Sequence, residues 1–148
     1  MRWASGAMGE LLRIEPESGI VLLGNEGPLT YEVWERAVLS LLRAVPAPGT
    51  RRRILSDRRR TEPLSYELVE RILAFYRQRA AELGEVQWAL LGSAKSQVYE
   101  VLRISETLVS APHVFVKAFS ELTPALGWLL GAYEPDELTR LERWVEQS

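Results

Sequence analysis

Residues Val86–Leu91 read VQWALL, an apolar run that is interrupted once, by Gln87, and is followed by Gly92. A short run of large apolar residues is typical of a strand that is covered on both faces. Three further runs share this character: Ile20–Leu23, Arg53–Ser56 and His113–Phe119. A helix-length amphipathic stretch follows each of the four. This alternation predicts an α/β fold with a mixed, mainly parallel sheet of four to five strands.

A hairpin is predicted before the first of these alternating units. Leu11–Glu15 is separated from Ile20–Leu23 by Pro16-Glu17-Ser18-Gly19, in which proline presets φ and glycine tolerates a positive φ. The short connection places the two strands side by side in opposite directions. We therefore expect the first strand to be the antiparallel member of the sheet.

Four helices and a C-terminal helix are predicted to cover the sheet, because apolar residues recur at three- and four-residue steps. Thr30 is the predicted N-cap of the first helix, which should end at Pro46-Ala47-Pro48-Gly49. Ser65 should introduce the second helix, whose apolar spacing continues to Gly84. The other predicted helix starts are after Gly92, at Ser120 or Thr123, and at Pro135.

Length and composition indicate one ordinary globular domain. The chain has 148 residues, of which 47% are hydrophobic and 26% charged, and its net charge is −2. This balance does not favour nucleic acid as a partner. The absence of cysteine excludes disulfides, thiolate catalysis and cysteine-based zinc sites. We expect a cytoplasmic protein without a membrane span, with a flexible segment at residues 1–9, a domain at 10–133 and a packed helix at 134–148.

Two arginine triplets flank the predicted central strand. Arg51-Arg52-Arg53 precedes the strand and Arg58-Arg59-Arg60 follows it, so the triplets should lie at opposite ends of the sheet. The second triplet comes just before a helix start, where guanidinium and backbone N–H groups can face an anion together. It is more typical of solvated charges that keep an apolar strand soluble. Asp57, which ends the strand, is predicted to pair with a neighbouring arginine or to lie in a cleft.

The remaining polar motifs favour structural roles. Gly92-Ser93-Ala94-Lys95-Ser96 lacks the first glycine of a phosphate-binding loop and is predicted to cap a helix. His113 is the single histidine; it has no adjacent carboxylate for a metal site and should lie exposed at a strand end. We expect no metal and no cofactor. No nucleophile–base arrangement supports an enzyme.

The order of elements resembles the STAS domain of anti-sigma-factor antagonists, and in particular the small bacterial STAS/SEC14-like proteins. The resemblance spans about Leu11–Tyr133. Four local segments carry it: Gly27-Pro28-Leu29-Thr30, Ile54-Leu55-Ser56-Asp57, Leu90-Leu91-Gly92-Ser93 and Ala125-Leu126-Gly127-Trp128-Leu129. The resemblance implies a domain that binds protein partners or small ligands and does not catalyse a reaction.

One segment departs from the family's pattern. The antagonists carry a phosphorylatable serine in an Asp-Ser-Ser-Gly turn that opens the second helix, whereas this chain reads Pro63-Leu64-Ser65-Tyr66-Glu67. Ser65 lies near the right place but lacks the neighbouring Asp and Gly. We expect Ser65 to cap the helix, and its phosphorylation is left open.

Two functions follow as hypotheses. The first is a regulatory module that binds a protein, such as a kinase or an anti-sigma-type regulator, through an arginine-bearing loop that faces an acidic surface. Its predicted contact residues are Asp57, Arg58, Arg59, Ser65 and Tyr66. The alternative is a protein that binds a lipid or a small apolar anion in a cavity where the second and third predicted helices part. In that case the arginines hold the head group. A homodimer is compatible with either function.

Overall fold

The computed structural model describes residues 10–44 and 51–148. The predictions for residues 1–9 and for the helix end at Pro46–Gly49 lie outside this range. Five strands form one sheet in the order β1-β2-β3-β4-β5. The strands are β1 (Leu11–Ile14), β2 (Val21–Gly24), β3 (Arg52–Asp57), β4 (Val86–Leu91) and β5 (Val114–Phe119). β1 is antiparallel to β2 and the other neighbours are parallel, which confirms the predicted mixed sheet and hairpin.

Helices cover both faces of the sheet. They are α1 (Tyr31–Ala44), α2 (Tyr66–Gln78), α3 (Ala80–Leu83), α4 (Gln97–Leu108), α5 (Leu122–Leu130) and α6 (Pro135–Glu146). From β2 to β5 each new strand is added on the same side of the last one, and right-handed crossovers therefore put α1 to α4 on one face. α5 and α6 cover the opposite face.

Alternating side chains of each strand supply both apolar cores. In β2, Leu23 packs beneath α1 to α4, whereas its neighbour Leu22 belongs to the core under α5 and α6. β4 divides in the same way between Trp88 and Ala89. The continuous apolar runs of β2 and β4 are explained by this arrangement, since both faces of these two strands are buried, whereas β5 is partly exposed at the edge of the sheet.

Two predicted helix caps are confirmed. Thr30 Oγ1 accepts a hydrogen bond from the Val33 N–H at 3.2 Å before α1. Ser65 Oγ accepts one from the Leu68 N–H at 3.0 Å at the start of α2. Each hydroxyl satisfies an N–H group that has no partner inside its helix.

The second predicted helix is divided, which the apolar spacing did not indicate. α2 ends at Gln78, and Arg79 has φ −115° and ψ 23°, outside the helical range. The short α3 then ends at Gly84, as predicted, with φ 65°. The stripe continues across the break because Leu83 is still buried in the same core.

The predicted cap of the fourth helix is wrong. α5 begins after Glu121, which makes no side-chain cap hydrogen bond, so neither Ser120 nor Thr123 has this role. Thr123 Oγ1 instead donates to Glu142 of α6 at 3.0 Å. The Thr123 hydroxyl therefore makes a tertiary contact with α6 and does not cap α5.

Helix α6 packs on α5 and against the hairpin. Leu141 and Val145 are buried with residues of α5 and of β2. Arg140 Nη2 donates to Glu15 Oε1 at 3.0 Å, and Glu15 itself is buried at the end of the hairpin's first arm. The final helix is therefore joined to the first part of the sheet.

Candidate functional site

The loops after β2 and β3 lie together at the carboxyl edge of the sheet. Gly27 forms a parallel bridge with Thr61, and its N–H donates to the Arg60 carbonyl at 3.0 Å. The Gly27 carbonyl accepts from the Glu62 N–H at 2.8 Å. The loop that carries Arg58 to Arg60 is thereby held between the end of β3 and the start of α2, as the parallel topology predicts.

Arg59 is engaged inside the molecule. Asp57, which is 2% exposed, accepts from the Arg59 backbone N–H at 3.1 Å, from Nε at 2.9 Å and from Nη2 at 2.8 Å. Arg59 Nη1 donates to Glu146 Oε1 of α6 at 3.0 Å. Hydrogen bonding to Asp57, supported by Glu146, raises the pKa of Arg59 above its ordinary value. The predicted pairing of Asp57 with a neighbouring arginine is present, and it joins β3 to α6.

Arg58 is buried, so the predicted accessible guanidinium is absent at this position. The side chain is 4% exposed; Nη2 pairs with the Glu10 carboxylate, and Nη1 donates to Asn25 Oδ1 at 3.3 Å. Asn25 Oδ1 also accepts from Thr61 Oγ1 at 2.7 Å. The reason for this burial is the strand alternation, which places Arg58 on the same face as Ile54, under the helices. The residue is therefore a component of the interior.

A cavity lies beside Arg58, between the sheet and helices α2 and α4. Its enclosed volume is about 40 Å³, and the space including its open mouth is about 510 Å³. Most of the lining is apolar, from Leu68 and Ile72 of α2 to Leu102 of α4. Arg58 is the one charged side chain among the described residues of the lining. The arrangement matches the cavity of the alternative functional hypothesis in both its position and its arginine.

Aromatic side chains form one wall of this cavity. Trp34 stacks on Trp88 with ring centroids 6.1 Å apart, and the Tyr76 ring lies 5.1 Å from that of Trp88. Trp88 Nε1 donates to Ser56 Oγ at 2.8 Å, so this indole N–H is satisfied. Aromatic rings of this kind are frequent in the linings of sites that hold apolar molecules.

The Tyr76 hydroxyl is available at the cavity. Tyr76 is 4% exposed and lines the space together with Arg58. Burial raises the pKa of the hydroxyl, nearby Arg58 opposes the shift and Glu10 adds to it, so the group stays protonated. In the described part of the chain no hydrogen bond of this hydroxyl is present. It can therefore donate to a molecule inside the cavity.

Ser65 and Tyr66 lie on the outside of the same edge. Ser65 is exposed and its Oγ is occupied as the cap of α2, while Tyr66 is 62% exposed. Of the five residues predicted to contact a partner, these two are accessible. Asp57 and Arg58 are buried, and Arg59 is fixed by two carboxylates. The predicted surface thus contains two accessible residues, two buried ones, and a partly exposed arginine that is paired within the chain.

The first arginine triplet lies at the opposite edge of the sheet, as predicted. Arg51 pairs with Glu85, and Arg52 Nη1 donates to the Leu83 carbonyl at 2.8 Å. Arg53 Nη1 donates to the Leu129 carbonyl of α5 at 3.4 Å. These contacts join β3 to α3 and α5, so the triplet has a structural role.

Ser96 and His113 have the structural positions expected of them. Ser96 Oγ accepts from the Tyr99 N–H at 3.1 Å and caps α4. His113 is exposed in a turn with φ 64°, just before β5 begins. Residues 10–44 and 51–148 contain no cluster of three or more metal-ligating side chains. Within the same residues, each helix is too short or too polar to cross a membrane.

Glu10, Asn25 and Tyr76 are site residues that sequence reasoning missed. Asn25 follows the apolar run Ile20–Leu23 in a segment with two glycines and a proline, and Tyr76 falls at the apolar spacing of the second predicted helix. A signal was present in the strand alternation, because Asn25 follows Leu23, and Arg58 follows Ser56, on the helix-covered face. Glu10 has no such signal, since its position depends on how the hairpin meets the loop after β3.

Comparisons with known proteins identify the fold. A solved structure of an uncharacterized protein from the DUF3478 family of Shewanella loihica PV-4, described as SpoIIAA-like in fold, is similar with a TM-score of 0.60. The identity is 21%, and the match covers 86% of this chain and 99% of that one. No family model matches the sequence, and no curated protein matches it significantly. The chain has a SpoIIAA-like fold, which is that of the STAS domains it resembles.

Proposed function

We propose that this protein binds a small apolar anion, without catalysis, in the cavity between α2 and α4. The observation that carries the proposal is one buried guanidinium, Arg58, in a wall that is otherwise mostly apolar. Apolar pockets with a few convergent polar groups are the usual form of small-molecule sites. The Tyr76 hydroxyl provides a second polar contact close to Arg58.

The size of the cavity indicates how binding proceeds. A volume of about 40 Å³ accommodates little more than one water molecule. A larger ligand therefore requires α2 to move away from α4, while Arg58 stays with the sheet. The residues facing each other across the cavity include Leu68 and Ile72 on one helix and Leu102 on the other. An apolar ligand can replace these contacts as the helices separate.

A non-catalytic role is supported by the state of the lining hydroxyls. Ser56 Oγ accepts from Trp88, and Ser105 Oγ donates to the Val101 carbonyl at 2.8 Å. A serine nucleophile needs a base within hydrogen-bond reach. Neither serine has such a partner among its described hydrogen bonds, so binding is the better account of the cavity.

Native mass spectrometry tests this function directly. Freshly purified protein should carry a small-molecule adduct that denaturation releases, or should form a 1:1 complex with added octanoate at micromolar to millimolar concentration. An octanoate-loaded spectrum with only the mass of the bare chain, from a preparation without a co-purified adduct, would contradict the proposal. Lysozyme mixed with the same octanoate controls for non-specific adducts.

Protein binding is a second candidate function, favoured by the exposure of Tyr66. This aromatic ring is 62% exposed beside the exposed Ser65, and aromatic residues are frequent at the centre of protein interfaces. Because Asp57 and Glu146 already pair with Arg59, the proposed docking relies on Tyr66 and not on the Arg59 guanidinium. A photo-crosslinking amino acid at Tyr66 should capture a defined protein in the native host. The same probe at Tyr133, which is 43% exposed, serves as the control.

A further inference from the structure

Glu10 is the most unusual buried group in the described chain. Its side chain has no exposed surface, and it contacts Arg58 from the side of the hairpin. Apart from Arg58, no described residue donates a hydrogen bond to either carboxylate oxygen. Burial raises the pKa of Glu10 while Arg58 opposes the shift. A carboxylate in such surroundings is supported by one guanidinium alone.

Glu10 lies where it can be displaced. It precedes β1, whose pairing with β2 begins at Leu11 opposite Gly24, so it is outside the regular ladder. β1 is also an edge strand of the sheet. Moving the Glu10 side chain into solvent therefore disturbs only the start of β1 and leaves the other hydrogen bonds of the sheet in place.

We propose that the ligand's head group is a carboxylate and that it replaces the Glu10 carboxylate on Arg58. This inference rests on the proposed function and names the ligand class for the same site. Arg58 lines the cavity and also pairs with Glu10, so the same guanidinium can pair either with Glu10 or with the carboxylate of the ligand. The Tyr76 hydroxyl, also in the lining, donates to the incoming oxygen.

Charge balance favours a carboxylate over a phosphate. One guanidinium neutralises one negative charge, and Asn25 Oδ1 beside it is an acceptor that offers no further positive charge. A dianionic head group would leave a buried charge without a partner, which is strongly unfavourable. A neutral head group would leave the Arg58–Glu10 pair intact and gain nothing from the cation.

The experiment compares three probes of equal chain length by isothermal titration calorimetry: octanoate, 1-octanol and octyl phosphate. Wild-type protein should bind octanoate most tightly. In Glu10→Gln the affinity for octanoate should rise about tenfold, because the competing charge is removed. The affinity for 1-octanol should change less than about twofold. Glu17→Gln, an exposed change of equal charge on the hairpin turn, should match wild type.

Each outcome has a distinct meaning. Absence of binding by all three probes to both proteins overturns the proposed function together with this inference. Octanoate binding that is equal or weaker in Glu10→Gln, or equal gains for octanoate and 1-octanol, overturns the inference and leaves the cavity as a binding site. Tighter binding of octyl phosphate than of octanoate also overturns it.

Hydrogen exchange on wild-type protein provides a readout that does not depend on the variant's folding. Saturating octanoate should increase amide exchange at the start of β1, at Leu11 and Leu12, because Glu10 leaves its buried position. Exchange at β4 should fall or stay constant. Unchanged or slower exchange at Leu11 and Leu12 in the bound state would show that Glu10 stays in place and would overturn the inference.

Discussion

At the scale of single residues, a buried ion pair lies beside the cavity. The Arg58–Glu10 pair is enclosed, and Asn25 is a further partner of the guanidinium. A pair of this kind adds little net stability relative to apolar residues, but removing one member leaves a buried charge. Net stability alone therefore does not explain the pair, to which the proposed function assigns a role in ligand binding.

Arg58→Met should lower the free energy of unfolding by about 1–3 kcal/mol, because Glu10 loses its cation and then either stays buried without a partner or moves into solvent. Adding Glu10→Gln to this variant should restore at least about 1 kcal/mol, since the orphaned charge is removed. Urea denaturation of the two single variants and the double variant measures the coupling. Arg71→Met, which removes an exposed pair with Glu32 and a contact over the Tyr31 ring, is the control and should lose much less stability than Arg58→Met. Additive effects at positions 10 and 58 would show that the two side chains do not depend on each other.

Ser105→Val should fill part of the cavity. Ser105 is buried in α4 and lines the space, and valine adds apolar volume there. We expect the free energy of unfolding to rise by up to about 1 kcal/mol and the affinity for octanoate to fall about tenfold or more. The matched control is Thr107→Val on the exposed face of the same helix, where the hydroxyl also donates to a backbone carbonyl. Equal octanoate affinity in Ser105→Val and wild type would place the ligand elsewhere.

At the scale of elements, α6 is coupled to the hairpin through Glu15. This carboxylate accepts from the Glu17 N–H at 2.9 Å, from the Ser18 N–H at 3.0 Å and from Arg140. Burial alone would raise the pKa of Glu15, but the two N–H donors and Arg140 together lower it below its ordinary value. The folded state therefore binds the Glu15 proton more weakly than the unfolded state.

A pH dependence follows from this shift. Because the folded pKa of Glu15 is lowered, its contribution to stability is present above pH 4.5 and is lost as the pH falls through the folded pKa. Glu10, whose pKa is raised, acts in the opposite direction as the pH rises. Urea denaturation between about pH 3 and 6 should show a shallower loss of stability toward low pH in Glu15→Gln than in wild type. Glu62→Gln, at an exposed position, should follow the wild-type curve, and parallel curves for Glu15→Gln and wild type would contradict the coupling.

The elements of the fold follow from the sequence pattern, whereas parts of the site do not. Buried strands and amphipathic helices have their own periodicities, so β4 and the Ser65 cap could be predicted from local residues. Strand alternation indicates that Arg58 lies on the helix-covered face, but it does not identify the partner that makes burial of the charge possible, because Glu10 is 48 positions earlier. The break between α2 and α3 at Arg79 could not be predicted either, since the apolar stripe continues through it.

At the scale of the whole molecule, the two faces of the sheet differ in how they are packed. α5 and α6 form a closed core with the strands, tied at both ends by Arg59 and Arg140. The opposite face holds the cavity beneath α2 and α4. The binding account therefore requires movement on one face and rigidity on the other.

Indole signals in a ¹H–¹⁵N correlation spectrum test this central claim most directly. Trp34 and Trp88 line the cavity, whereas Trp128 and Trp144 pack with the core under α5 and α6. Titration with octanoate should shift the Trp34 and Trp88 signals in a saturable manner and leave those of Trp128 and Trp144 unchanged. If all four signals stay unchanged, or if only Trp128 and Trp144 respond, the cavity is not the binding site.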